Sequence, residues 1–152
     1  MLVEANIKEM LKGIMKKKSK LSALVTEVIK YGAVGAVSTA LDYLFLNLSF
    51  KFMHNDAGLL WLATAIGFGI GMVNGYFMNS RWTFRFNTNG QESKKFSQFA
   101  VVSLVGLGLT ELIVLSLSLK LSLDKNVAKL VAVAIVFVWN YLANKFWTFK
   151  KQ

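Results

Sequence analysis

Cysteine and proline are absent from this sequence of 152 residues, and histidine occurs once, as His54. Without cysteine the chain has no thiol nucleophile and no disulfide, and the sequence carries no sign of its redox compartment. One histidine and no cysteine supply neither a zinc ligand set nor a catalytic triad, so we interpret His54 as a loop residue. We therefore expect a protein that is not an enzyme, with no catalytic residue, no bound metal and no cofactor.

Charge is concentrated in short segments, and the stretches between them carry almost none. The sequence is 55% hydrophobic, with a mean hydropathy of +0.47, which is well above the value for a soluble domain. A net charge of +10 could indicate nucleic acid as a partner. Because the basic residues lie between long apolar stretches rather than across a polar surface, we expect membrane lipid and no nucleic acid.

Four apolar stretches are candidates for membrane spans. The first and third contain one charge each, Asp42 and Glu111, the second contains none, and the fourth is bounded by Lys129 and Lys145. A helix needs about 20 residues to cross a hydrocarbon core roughly 30 Å thick. The fourth stretch crosses only if a flanking lysine lies near the core boundary. We predict an all-α integral membrane protein with spans at about 31–52, 57–82, 96–119 and 127–148.

The basic residues also indicate how the spans are oriented. With four spans, both termini lie on the same side of the membrane. Every basic residue outside Lys51, Lys120, Lys125 and Lys129 belongs to the N-terminal segment, the loop after the second span, or the C-terminal tail. The positive-inside rule therefore predicts a multi-pass protein with both termini in the cytoplasm.

Residues 1–29 form a basic segment before the first span. Its apolar residues recur at helical spacing, with lysines between them: Ile7, Leu11, Ile14, Leu21, Val25 and Val28. This pattern predicts an amphipathic interfacial helix that lies on the anionic phospholipids of the inner leaflet. The alternative is a solvated basic tail.

One motif occurs twice. The second and fourth spans end in Asn79-Ser80-Arg81-Trp82-Thr83-Phe84 and Asn144-Lys145-Phe146-Trp147-Thr148-Phe149, and a carboxylate lies inside the first and third spans. We predict that the domain is built as two parallel helical-hairpin repeats, related by an axis along the membrane normal. The aromatic ends of both motifs are typical of interfacial anchors.

Polar side chains fall on one face of each predicted span. An ionised carboxylate at a span centre costs roughly 2.5–3.5 kcal/mol, so Asp42 and Glu111 should point into the bundle, as pathway acids or as structural hydrogen-bond partners. Asn74 shares its face with a ridge of small residues that predicts close helix packing: Ala63, Gly67, Gly71 and Gly75. On the fourth span, one face carries Lys129, Asn140 and Asn144.

The double Asn-x-x-Trp-Thr-Phe ending, the Tyr31-Gly32-Ala33-Val34-Gly35 opening and the four-span repeat together resemble the GtrA family of small bacterial membrane proteins. The resemblance covers about residues 30–150. It implies a GtrA-like transmembrane domain at 30–152, located in the bacterial cytoplasmic membrane.

The resemblance also implies a function in polysaccharide synthesis. Proteins of this kind are expected to move a polyprenyl-phosphate-linked sugar from the cytoplasmic to the outer leaflet, where a membrane glycosyltransferase uses it for cell-surface polysaccharide or teichoic acid. Polar residues of the spans suit such a headgroup. The candidates are Asn74, Asn140, Asp42 and Glu111 for sugar hydroxyls, Arg81 or Lys129 for the phosphate, and Asn79 and Asn144 along the same path.

Two other functions stay open on the sequence alone. The protein could be a non-transporting subunit that scaffolds a glycosyltransferase, with asparagines that only bond helices together at roughly 0.6 kcal/mol each. It could also be a small proton-coupled exporter of cations or drugs, in which Asp42 and Glu111 exchange substrate for protons, although Lys129 and the asparagines argue mildly against this. Four short helices enclose little room, so a homo-oligomer is plausible.

Overall fold

The computed structural model describes residues 2–87, 90–120 and 122–150, with side chains from residue 6 onward. Lys151 and Gln152, at the end of the expected domain, lie outside the described residues. The described residues form four long helices, each long and apolar enough to cross a membrane, and no strand, which confirms the predicted fold class. The elements are α1 (Leu2–Phe52), a 3₁₀ turn (Ala57–Leu59) that leads into α2 (Leu60–Met78), a π-helical turn (Asn79–Thr83), α3 (Glu92–Lys120), α4 (Lys125–Ala143) and a second π-helical turn (Asn144–Thr148).

Helix α1 differs from the prediction in one respect. It runs through 51 residues, which corresponds to about 77 Å at 1.5 Å per residue. The N-terminal segment is helical as expected, but it continues into the first span without ending, so it is not a helix of its own. Residues 6–26, called the arm, are exposed throughout.

Each hairpin has a tight connection at one end of the bundle, called the loop end. His54 and Asn55 adopt positive φ angles of 55° and 57° after α1, and Asp56 then caps the 3₁₀ turn by accepting from Gly58 N at 2.8 Å. Asp124 caps α4 in the same way, because its Oδ1 accepts from Asn126 N at 2.9 Å. The opposite end carries both Trp-Thr-Phe sequences and is called the motif end.

Small residues let the helices of each hairpin approach closely. On α2, Ala63, Gly67, Gly71 and Gly75 are all buried. A Cβ atom on Gly71 would lie 2.7 Å from the backbone oxygen of Ser38 on α1. On α4, buried Ala128 and Ala132 serve the second hairpin. The predicted role of the glycine ridge in close packing is therefore confirmed.

The two hairpins join at the motif end through an aromatic cluster. Its buried members come from all four helices and both Trp-Thr-Phe sequences: Tyr31, Tyr76, Phe84, Phe99, Tyr141 and Phe149. At its centre the rings of Phe84 and Phe149 stack, with centroids 5.0 Å apart and planes inclined by 24°. The last residues of the two motifs therefore pack against each other, while Trp82 and Trp147 stay about half exposed.

The two π-helical turns explain how these phenylalanines turn inward. Phe84 N donates to Asn79 O at 2.9 Å, and Phe149 N donates to Asn144 O at 2.7 Å, so each bond spans five residues rather than four. The additional residue widens the last turn and changes the direction of the side chains that follow it. In both turns the first residue, an asparagine, and the last, a threonine, are buried.

The stacked rings give a prediction about stability. Replacing Phe84 or Phe149 by alanine should lower the free energy of unfolding by about 3 kcal/mol, because each ring is buried between the hairpins and would leave a cavity. Thermal unfolding in detergent measures the effect. Phe146→Ala is the matched control, since Phe146 belongs to the same motif but is 64% exposed. An equal loss in the control would contradict the assignment.

Candidate functional site

A cavity with several polar side chains in a largely apolar wall lies between the two hairpins, next to the aromatic cluster. Its volume is about 240 Å³, and all four helices contribute to its wall. Seven of its lining side chains have polar groups: Tyr31, Ser38, Thr39, Asp42, Asn79, Ser103 and Asn140. The cavity is below the roughly 300–1,000 Å³ of typical small-molecule pockets, so it suits a headgroup rather than a whole lipid.

The wall formed by α1 and α2 contains a carboxylate beside two hydrogen-bonded side chains. Asn74 Nδ2 donates to Ser38 Oγ at 3.0 Å and so links the two helices. One turn further along α1, Asp42 lines the cavity and contacts the glycine ridge of α2. The sequence prediction that Asp42 points into the bundle is confirmed, and Asn74 lies beside the cavity through its bond to Ser38.

The wall formed by α3 and α4 presents the amide of Asn140. This side chain lies against Gly106 of α3, where an added Cβ would come within 2.6 Å of its Oδ1 atom. The absence of a side chain at position 106 therefore makes the room that the amide occupies. Among the described residues, none donates a hydrogen bond to the buried Asn140 Oδ1.

The two asparagines of the repeated motifs lie at the motif end of the cavity. Asn79 lines it, and Asn144 lies deeper, where its Nδ2 donates to the Tyr31 hydroxyl at 3.1 Å and to Asn140 O at 2.9 Å. Both Oδ1 atoms are buried, and no described residue donates to either. A buried acceptor without a donor costs about 1–3 kcal/mol. Asn79 and Asn140, which line the cavity, therefore each have an amide oxygen that a ligand with hydroxyl groups would satisfy, while Asn144 lies behind the wall.

Arg81 lies apart from this cavity, on the surface of the motif end. Its guanidinium is 5.4 Å from the centre of the Phe77 ring and is exposed. With Arg85 and Ser80 it lines a second cleft of about 460 Å³, called the arginine cleft, whose far side includes Glu92.

Lys129 lies one turn from the start of α4, near the loop end, and is exposed. It is therefore not part of the cavity. At 1.5 Å per residue it lies about 16 Å along α4 from Asn140.

Glu111 contradicts the expectation that both intramembrane acids point inward. It is exposed, and it lies on the side of α3 opposite buried Val102, because nine residues turn a helix through about 180°. The inner face of α3 consists of apolar and small residues instead. On the insertion scale, a carboxylate in contact with lipid at this depth costs roughly 2.5–3.5 kcal/mol.

A charged contact between the two hairpins was not apparent from the sequence. Lys145 Nζ lies 2.6 Å from Glu27 Oε1, and Tyr141 OH donates to the same carboxylate oxygen at 2.8 Å. Glu27 belongs to α1 just before the first span, so this contact holds the base of the arm against the end of α4. No local sequence pattern predicts a contact between residues so distant in the chain. The sequence feature that pointed to it was a lysine, Lys145, among aromatic residues at the end of an apolar stretch.

Comparison with known protein families gives one match. Residues 30–149 match the family described as GtrA/DPMS, transmembrane domain, which is most of the chain. The chain belongs to this family. A search among curated proteins finds no match.

Membership in the GtrA/DPMS family confirms the resemblance drawn from the motifs. It makes the chain a multi-pass membrane protein tied to glycosyl-lipid or polysaccharide synthesis. Members of the GtrA-like family are generally non-catalytic membrane proteins. The N-terminal arm lies outside the matched residues.

Proposed function

We propose that the protein moves a polyprenyl-phosphate-linked sugar, with a carrier such as undecaprenyl phosphate, from the cytoplasmic to the outer leaflet. The sugar then serves the glycosylation of cell-surface polysaccharide or teichoic acid. The observation that carries the proposal is the cavity between the hairpins, which Asn79 and Asn140 line with amide oxygens that have no donor among the described residues. Sugar hydroxyls are donors, and the headgroup would supply the missing bonds.

The composition of the cavity favours a neutral, hydroxylated group. The amides of Asn140 and Asn79 both accept and donate hydrogen bonds, and the carboxylate of Asp42, on the wall opposite Asn140, accepts hydrogen bonds from hydroxyl groups. The apolar rings of Phe68, Phe99 and Phe137 complete the lining and match the C–H faces of a sugar ring. At about 240 Å³ the cavity leaves the isoprenoid tail outside, in the lipid.

The phosphate has a cationic contact at each end of this route. At the motif end, Arg81 and Arg85 line the arginine cleft, and a guanidinium bonds phosphate oxygens through charge-assisted pairs. At the loop end, exposed Lys129 takes the same role about 16 Å beyond Asn140. Glu111 has no place on this path, because it faces away from the cavity.

The position of Glu111 also bears on the exporter alternative. That function uses two carboxylates on one pathway, and only Asp42 lines the cavity. The structure of the site does not distinguish scaffolding from translocation, because polar packing contacts and a headgroup path use the same side chains. An experiment is needed to distinguish them.

Two further partners belong to the proposal. A membrane glycosyltransferase takes the sugar at the outer leaflet. The arm carries Lys8, Lys12, Lys16, Lys17, Lys18 and Lys20 on an exposed helix, and these lysines attract the anionic phospholipids of the cytoplasmic leaflet by about 1 kcal/mol for each lysine near the surface.

The decisive experiment follows the sidedness of a labelled polyprenyl-phosphate sugar in liposomes that contain only this protein. The label should become accessible to an external, membrane-impermeant oxidant or enzyme much faster than in protein-free liposomes. A scaffold would leave the rate unchanged, since no glycosyltransferase is present. That result would contradict the proposed translocation.

Orientation in the membrane can be tested with single cysteines, because the chain has no native cysteine. We expect Lys125→Cys to react with an impermeant maleimide added outside the cell, and Gln91→Cys to react only after the membrane is permeabilised, since the basic motif end lies in the cytoplasm. Both positions are exposed, so access within the protein does not differ. The reverse labelling pattern would overturn the assignment.

A further inference from the structure

Helix α3 has an exposed face that contains a carboxyl group, which is unfavourable in contact with lipid. The Glu111 face consists of Leu104, Gly108, Glu111 and Leu115, which fall within about 60° of one another around the helix. All four residues are exposed. Glu111 is about 12 Å inside the outer end of the predicted third span, at 1.5 Å per residue, so its carboxyl cannot reach the headgroups by extending outward.

We infer that the Glu111 face is an interface with a second copy of this chain, in which the two α3 helices cross at Gly108. A lipid-facing carboxyl has no hydrogen-bond partner in hydrocarbon, and intramembrane acids are almost always covered by protein or water. Covering this face with another helix removes the carboxyl from lipid. The inference does not depend on which molecule the cavity binds.

Gly108 gives the face a shape that a helix can fit. No described atom lies within 4 Å of the position that a Cβ on Gly108 would occupy, so the backbone there is open to a neighbour. Its counterpart Gly106 is already filled by Asn140 of the same chain. Leu104 and Leu115, one turn before and two turns after Gly108, flank the open position and pack around a crossing helix.

The chemistry of Glu111 favours a second copy over an unrelated partner. All copies have the same orientation in the membrane, so a twofold axis along the membrane normal places the two Glu111 carboxyls at one depth. A carboxyl that carries a proton donates as well as accepts, so two of them bond each other without any further polar group. An unrelated partner would have to bring its own donor or cation to this depth.

Cysteine cross-linking in native membranes tests the interface. The test variants are Leu104→Cys and Leu115→Cys, and the control is Val133→Cys on α4. The three native side chains are matched in exposure, at 54%, 52% and 53%. On mild oxidation, the two α3 positions should form a disulfide-linked dimer at least about tenfold more than the control, because close contact of the helices holds them together.

Two additional substitutions in the Leu104→Cys background separate the interface from random collision. Gly108→Leu blocks the crossing point, and Glu111→Leu removes the polar contact, so each should reduce the cross-linked dimer about tenfold while the amount of membrane-inserted protein holds. Neither substitution disturbs the bundle itself, because both side chains point away from it.

Equal cross-linking at Leu104, Leu115 and Val133 would overturn the interface. Cross-linking of the α3 positions only to a protein of another mass would overturn the second copy and assign the face to that protein.

Discussion

Replacing Asn140 by leucine should slow transfer of the labelled lipid-linked sugar in liposomes by about a hundredfold, which corresponds to about 2.7 kcal/mol in the barrier. Leucine has the same number and branching of side-chain heavy atoms as asparagine, so it is the apolar residue closest in shape for the position beside Gly106. It offers no oxygen or N–H to the cavity, and a sugar that enters there loses its bonds to water without replacement. A site that hydrogen-bonds a hydroxyl group discriminates strongly through such losses.

Asn47→Leu is the matched control for this prediction. Asn47 is an exposed asparagine in α1, and its Nδ2 bonds only the backbone oxygen of Tyr43 in its own helix. It should tolerate leucine with unchanged transfer. Both variants should insert to the same level, because leucine is favourable in a membrane helix. If Asn140→Leu protein inserts normally and transfers the sugar at the original rate, the amides are packing contacts and the headgroup path is wrong.

Much of the fold follows from the distribution of charge in the sequence. A stretch without charges that is long enough to cross a bilayer has few alternatives to a membrane helix, because its backbone must satisfy its own hydrogen bonds there. Each predicted span accordingly lies within one continuous helical stretch of the structure, which for the second and fourth spans includes the short 3₁₀ and π-helical turns beside α2 and α4. The glycine ridge of α2 was readable for a similar reason, since small residues at a spacing of four form one continuous strip.

The candidate site was predicted in part. Asp42, Asn79 and Asn140 line the cavity, and Asn74 and Asn144 lie next to it, which agrees with the rule that polar groups avoid lipid, while their part in binding stays a prediction. The prediction from this rule was wrong for Glu111, because the rule does not say which protein surface covers a polar group. A polar group satisfies it equally by facing its own bundle or a second protein, and one chain's sequence contains no information on that choice.

The motif ends show a second limit of sequence reasoning. The interpretation of both aromatic ends as interfacial anchors stays a prediction for Trp82 and Trp147, which are 44% and 48% exposed, and is wrong for Phe84 and Phe149, which form the centre of the aromatic cluster. A regular α-helix was assumed through the motifs. The π-helical turns add a residue to the last turn of each, and helical periodicity cannot reveal such an insertion.

The contact between Glu27 and Lys145 was missed for a different reason. Glu27 belonged to a segment that was interpreted as lying flat on the membrane, away from the bundle. Because α1 continues without a break, the base of the arm is instead held beside the end of α4. The boundary expected near residue 30 is absent, because α1 continues through Lys30 and Gly32 without interruption.

Gly71→Leu should abolish the folded protein, because α1 lies too close to α2 at this glycine for a side chain to fit. Even a Cβ at this position would lie 2.7 Å from the Ser38 backbone oxygen and 3.0 Å from the Asp42 Cβ, so a leucine forces α1 and α2 apart along their whole contact and opens the cavity wall that Asp42 forms. The backbone cannot yield as a flexible side chain does, and close approach is what holds helices together in lipid.

Size-exclusion chromatography in mild detergent should show no monodisperse peak for this variant. Gly69→Leu, two residues earlier on the same helix, is the control: no described atom lies within 4 Å of its Cβ position, so this variant should elute like the original protein. A Gly71→Leu protein that elutes normally and transfers sugar at the original rate would show that α1 and α2 do not pack at this glycine.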